Sequence, residues 1–273
     1  MIKRTMLGAT AVAATLMLAA CGSSSNNATD DAGSAGSSTG AGANLDLVSP
    51  GTLTVCSDVP YAPFEDFDKT SASGFKGFDI DIDSQLATDL GLKLKVLDED
   101  FDGLQSGLTL NAGTCDLVSS ALTITDDRAK HLSFTDGYYD SEQSLLVPAD
   151  SSIASIADLA GKKVGVQKGT TGKTYATEHA KGAQIIDFPS DAEEFLALKA
   201  GQVDALLQDL PVNIEHQNAG GYKVVEKYST GESYGLAAKL GNDKLVEAVN
   251  KDLAKMKSDG TYKKIYDKYF ATS

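Results

Sequence analysis

Gly172, Lys173 and Thr174, which close the stretch VQKGTTGKT, are the residue types that cradle a phosphate chain at the end of a glycine-rich loop. The preceding KKVGV has the apolar character of a buried strand, so the loop would lie between a strand and a helix. A phosphate loop of the form G-x-x-x-x-G-K-[ST] needs its first glycine five positions before the second, where the backbone wraps the phosphates. That position is Gln167, and Gly165 and Gly169 are both out of register. The chemistry that remains is smaller. A strand, a glycine turn and Thr170-Thr171 opening a helix still offer backbone N–H groups and hydroxyls to an anion such as a carboxylate. As a plain helix cap, the same pair would need no ligand.

The elements that must hold this loop follow a βαβα rhythm. LTVCSD predicts a strand ending in a polar turn. FDIDIDSQLATDLG predicts a helix with Phe78, Ile82, Leu86 and Leu90 on one face and acids on the other. LKLKVL alternates with period two, FDGLQSGLTL predicts a helix that breaks at NAG, and DLVSS a buried strand. The alternation continues to LPVNIEHQNAG, and the chain closes with two helical stretches, of which the first carries an apolar stripe at Leu245, Val249, Leu253 and Met256. Such a pattern predicts an α/β protein with mostly parallel sheets, binding its ligand at the carboxyl ends of the strands.

The ends and the charge narrow the setting. Lys3 and Arg4 precede an apolar run from Met6 to Leu18, too short for a good membrane span but suited to a secretory signal. The run ends in Leu18-Ala19-Ala20-Cys21, which resembles the bacterial lipobox, with residues 1–20 as the signal and Cys21 as the lipid-bearing residue. Gly22 to Asn44 holds only Gly, Ser, Asn, Ala, Thr and Asp. That composition predicts a flexible tether over 21–44, with a reach of roughly 25 Å. Removing residues 1–20 moves the net charge from −14 to −16, because only Lys3 and Arg4 are lost. An acidic body without a basic run argues against nucleic acid as a partner.

Two further cysteines, Cys56 and Cys115, fall in the folded part. In an exported protein they point to a disulfide rather than a redox pair or metal site, provided the strand register brings them within reach. His131, His179 and His216 are scattered with no ligand spacing, so no metal or cofactor is expected.

Several stretches then occur together: DVPYAPFE (58–65), GFDID (77–81), TITDDR (123–128), FTDGYY (134–139), DLAGKKVGVQKGTT (158–171) and DGTYKKIY (259–266). In this order and spacing the chain resembles the polar amino-acid-binding proteins of ABC importers, family 3 of the bacterial extracellular solute-binding proteins. The resemblance runs from about Leu53 to Phe270. It implies a two-lobed, type II periplasmic-binding-protein fold, each lobe a mostly parallel sheet flanked by helices, joined by a two-segment crossover. By analogy the crossings fall near Tyr139–Ser144 and Glu232–Gly235. Lobe 1 would then be 45–140 plus 235–273, and lobe 2 would be 141–234.

The resemblance also implies a site. A free amino acid offers a carboxylate and an ammonium on one carbon, and both need partners when taken from water. Arg128 matches the carboxylate-binding arginine, whose planar fork suits two oxygens. The Thr123 N–H would support that carboxylate, while the Thr123 hydroxyl and the Ser120 carbonyl would accept from the ammonium. Thr170 and Thr171 would donate to the carboxylate from lobe 2. Asp209 matches the ammonium-binding acid; on sequence alone it could equally cap the following helix. Tyr61, Phe64 and Phe101 match aromatic positions that stack on the ligand, although Phe64 could also be a core residue. Asp58 could hold a cationic side chain with Tyr61 and Phe101 beside it. Ala121 replaces a second serine of some members, and the segment between Phe101 and Asp116 is about two residues longer than the family's pattern.

The expectation is therefore a non-enzymatic, monomeric lipoprotein on the extracytoplasmic face, anchored to the membrane through the Cys21 lipid. It would capture a basic or amide L-amino acid and pass it to ABC permease subunits. A ligand-sensing receptor and a small-acid dehydratase on the same fold are the rival readings.

Overall fold

The computed structural model describes residues 45–271. The expected signal segment 1–20, the lipid-bearing Cys21 and the tether 21–44 lie outside the described residues.

The first part of the chain supplies β1 (Thr52–Ser57), the short antiparallel pair β2 (Asp66–Phe67) and β3 (Phe75–Lys76), α1 (Phe78–Asp89), β4 (Lys93–Asp98), α2 (Phe101–Gln105), α3 (Leu108–Asn111), β5 (Leu117–Val118) and β6 (Leu132–Phe134). Then come β7 (Tyr139–Pro148), β8 (Lys163–Gln167), α4 (Thr171–His179), β9 (Gln184–Phe188), α5 (Asp191–Lys199), β10 (Ala205–Asp209), α6 (Leu210–Asn218) and β11 (Tyr222–Tyr234). The chain ends with β12 (Ala237–Lys239), α7 (Asp243–Asp259) and α8 (Thr261–Phe270).

These strands form two five-stranded sheets, ordered β4-β1-β5-β12-β6 and β11-β7-β10-β8-β9. The expected parallel core is present in each: β1 pairs in parallel with β4 and β5, and β8 with β9 and β10. Antiparallel strands complete both sheets, because β12 returns beside β5 and β6, and β7 lies between β10 and β11. The crossover pair β7–β11 is one long antiparallel ribbon, paired from Tyr139 and Tyr234 at one end to Pro148 and Tyr222 at the other.

Both sheets are covered on two faces, so alternate residues of one strand enter different cores. Leu53 and Val55 of β1 join α1 and α7 in one cluster, whereas Cys56 faces the cluster of Phe101, Leu104 and Leu110. In the second sheet Leu145 and Leu207 face α4, while Leu146 and Leu206 face α5. The stripe Leu245, Val249, Leu253 and Met256 is buried in the first lobe's core. Asn242 starts its helix by accepting from the Leu245 N–H, and Gly260, at φ 84°, ends it in the left-handed conformation. Full burial of each stripe side chain contributes about 1.5–3 kcal/mol.

Some local expectations change. The segment after Phe101 is two short helices rather than one, because Gly107 takes φ 76° and packs close to the His131 carbonyl. The α1 acids do not all lie opposite the apolar face: Asp79 and Asp83 are fully buried. Asp79 Oδ2 accepts from the Ala121 N–H and the Tyr138 hydroxyl, and that anchors the loop where Ala121 holds φ 43°. Phe64 does not reach a ligand cavity. It is fully buried among Phe78, Tyr139, Tyr234 and Phe270, with ring centroids 5.1–6.3 Å away, so its aromatic area serves the core. Cys56 and Cys115 do form a disulfide, with Cα atoms 5.9 Å apart.

Candidate functional site

The parallel strands aim their carboxyl ends at one place. β1 runs into Asp58, β5 into Ser119-Ser120, β8 ends at Gln167 just before the Gly169 turn, and β10 ends at Asp209. Between them lies a partly open pocket with about 300 Å³ of empty space, which includes some of the solvent at its mouth. Asp58, Tyr61, Phe101, Ser120, Thr123, Arg128, Thr170, Thr171 and Asp209 all line it, together with Ala121 and Gln167. Of the ligand-contacting residues expected from sequence, Phe64 alone lies elsewhere.

Arg128 sits in a short 3-10 turn (128–130) and is buried. Its guanidinium donates to the Thr123 carbonyl at 2.7 Å and, across the cleft, to the Gly169 carbonyl at 3.0 Å. It lies 5.4 Å from the centre of the Phe101 ring. Burial lowers its pKa to about 10, opposed by the charges of Asp209 and Glu232, so it stays cationic at neutral pH. Two of its five N–H groups are used, which leaves donors for a carboxylate.

Asp209 occupies the N-cap position of α6, but its side chain makes no capping bond. The carboxylate turns instead to the cavity's wall. Oδ2 accepts from the Tyr61 hydroxyl at 2.8 Å, and Oδ1 accepts from Gln143 Nε2 at 2.5 Å. Burial, aided by the Glu232 charge, raises its pKa to about 6 against these hydrogen bonds. A cation arriving here would relieve that penalty.

At the other end, Asp58 accepts from Gln167 Nε2 at 2.5 Å, and Gln167 also donates to the Pro189 carbonyl. Burial raises the Asp58 pKa to about 7; the Gln167 bond opposes this, and Asp98, Asp100 and Asp191 add to it. Ser120 Oγ donates to Glu65 at 2.6 Å and accepts from the Asp58 N–H at 3.0 Å, so its hydroxyl is occupied.

The threonines differ from expectation in one respect. Thr170 is the N-cap of α4: its hydroxyl accepts from the Lys173 N–H and donates to the Gln167 carbonyl. The Thr171 hydroxyl donates to Glu232. Neither hydroxyl is left to donate to a ligand. What α4 retains for an anion is the backbone N–H groups of its first turn.

A buried cation, a helix start and buried carboxylates around one pocket suit a small zwitterion. The family model of the bacterial extracellular solute-binding proteins, family 3, matches residues 53–272. The chain belongs to this family. It is 39% identical over 206 residues to the ABC transporter glutamine-binding protein of Bacillus subtilis (strain 168), across 74% of this chain and 75% of that one. Among solved structures, an ancestral arginine-binding protein bound to glutamine is similar at 39% identity and a TM-score of 0.76, covering 82% of this chain and all of that one. An ancestral amino-acid-binding protein, a precursor of cyclohexadienyl dehydratase, is similar at 38% identity and a TM-score of 0.75, over 81% of this chain and 96% of that one. The fold is the two-lobed, type II arrangement of these family 3 relatives.

Three polar residues of this family 3 chain join the site without having been expected there from sequence. Gln167 stood out only as the residue that breaks the phosphate-loop spacing, yet its place at the end of a parallel strand was a usable signal. Gln143 is fully buried in β7, and a glutamine among apolar neighbours in a strand was a weaker one. Glu232 gave none, because it reaches the site through an irregularity in β11.

Proposed function

We propose that this protein captures an L-amino acid between its two lobes and delivers it to an ABC permease. The observation that carries the reading is the meeting of Arg128 and Asp209, from opposite lobes, at one pocket. The carboxylate would bind Arg128, the Thr123 N–H and the first turn of α4. The ammonium would bind Asp209, the Thr123 hydroxyl and the Ser120 carbonyl. Arg128, Thr123 and Ser120 make the first encounter on lobe 1, and closure adds Asp209 and α4. Only interactions that form on closure shift the open–closed equilibrium.

Asp58 at the far end favours a basic or amide side chain, flanked by Tyr61 and Phe101. The similar proteins named for glutamine and arginine support the same two classes. We place lobe 1 at 45–140 plus 235–273 and lobe 2 at 141–234. The chain works as a monomer, on the extracytoplasmic face, held to the membrane by the Cys21 lipid and its tether. Binding, not turnover, is its activity, so neither prephenate nor arogenate should be converted.

A thermal-shift screen of the twenty standard amino acids with ornithine and citrulline tests this directly. A ligand at about 100 times its dissociation constant should add about 2.7 kcal/mol of stability. Silence across the whole panel would refute the reading.

A further inference from the structure

Glu232 lies on the crossover ribbon, at a register shift in β11 between Tyr228 and Glu232. Gly231, at φ 71°, makes the turn there that a side-chain-bearing residue would strain. The irregularity aims the carboxylate at both lobes. Glu232 Oε2 accepts from the Thr123 hydroxyl at 2.9 Å on one side and from the Thr171 hydroxyl at 2.8 Å on the other. Gln143 Nε2 approaches both of its oxygens, at 3.2 and 3.3 Å, and bonds Asp209 with its second proton.

A carboxylate only accepts, so these contacts fix which way each proton points. With its proton given to Glu232, the Thr123 hydroxyl presents lone pairs, not a donor, to the cavity. The Gln143 amide is likewise fixed, because its NH₂ must face two carboxylates. We propose that Glu232 is a positioning residue for the ammonium end of the ligand: it makes Thr123 an acceptor and steadies Asp209 through Gln143. This role rests on the amino-acid-binding reading of the cavity.

Glu232→Gln tests it, since the amide keeps the shape but can itself donate to a threonine and release that hydroxyl's proton. The probes are L-arginine and L-glutamine, each with its analogue lacking the α-amino group, guanidinopentanoate and glutaramate. Calorimetry on wild type identifies the tighter pair, and thermal melting checks that the variant is folded. The variant should bind the amino acid about tenfold or more weaker, the scale of one hydrogen bond to a charged group, and bind the des-amino analogue as wild type does. Thr123→Val should show the same pattern, and the double variant should be little worse than either. Equal affinity for the amino acid, or equal loss for both members of the pair, overturns the role of Glu232 and leaves the site reading intact. If wild type prefers another amino acid, that ligand and its des-amino analogue take the place of the pair, and a wild-type protein that binds no amino acid overturns the site reading, and this role with it.

Discussion

The Tyr61 hydroxyl donates to Asp209 Oδ2 over 2.8 Å, and so joins the loop after β1 in one lobe to the end of β10 in the other. The bond draws Asp209 away from capping α6 and towards the cavity. It defines what an arriving ammonium would meet, a buried carboxylate already held by a phenol and an amide.

Replacing Asp209 by alanine should therefore weaken amino-acid binding by roughly 10- to 100-fold, the range for a hydrogen-bonded charge partner. The lobes should also close less readily, since this contact forms across the cleft. Titration calorimetry with the best ligand decides the point, and an unchanged affinity would remove Asp209 from the site.

Stability of the ligand-free protein should fall as pH rises from about 4 to 7. Asp209 and Asp58 have folded-state pKa values near 6 and 7, raised by burial above their ordinary 3.8. The native state thus binds more protons than the unfolded chain between these values. The stabilisation is fully present below pH 3.8 and is lost as pH rises through 6 and then 7. Melting scans across that window should show a falling Tm, and Asp58→Asn should reduce the fall in part, because burial also raises Asp79 to about 7 and lifts Glu65, Asp83 and Glu194.

Asp58 should also read the ligand's charge. Arginine and citrulline share a shape but differ by one positive charge, so Asp58→Asn should lower the arginine-to-citrulline affinity ratio by roughly tenfold. A ratio unaltered by the substitution would mean that Asp58 does not face the ligand's far end.

The disulfide should matter to stability. Cys56 and Cys115 are 59 residues apart in sequence and both buried. Closing a loop of that length restrains the unfolded chain by about 4 kcal/mol in the chain-entropy account. Paired Cys→Ser substitution should lower the denaturation midpoint accordingly in guanidinium titrations.

By contrast, the Lys168–Asp102 ion pair at the cleft's rim, 2.8 Å long with both side chains about half exposed, should contribute little. Lys168→Ala should change ligand affinity less than about threefold.

The sequence by itself determined the βαβα order and the helix begun at Thr170-Thr171, which follow from local periodicity and capping chemistry. The grouping of Arg128, Thr123 and Asp209 was implied by the resemblance to family 3 and by no local pattern, since Asp209 alone reads equally as a helix cap. Tertiary structure decided what local pattern could not. Phe64 is a core residue because four aromatic neighbours, distant in sequence, enclose it. Asp79 and Asp83 are buried because the loop carrying Ala121 folds over that side of α1. Asp209 leaves its helix because Tyr61 and Gln143 compete for its carboxylate. Glu232 joins the site because an irregular strand sets its carboxylate between Thr123 and Thr171, which are 48 positions apart in sequence. A hydrogen bond between residues a hundred positions apart has no period in sequence; packing alone brings such partners within reach.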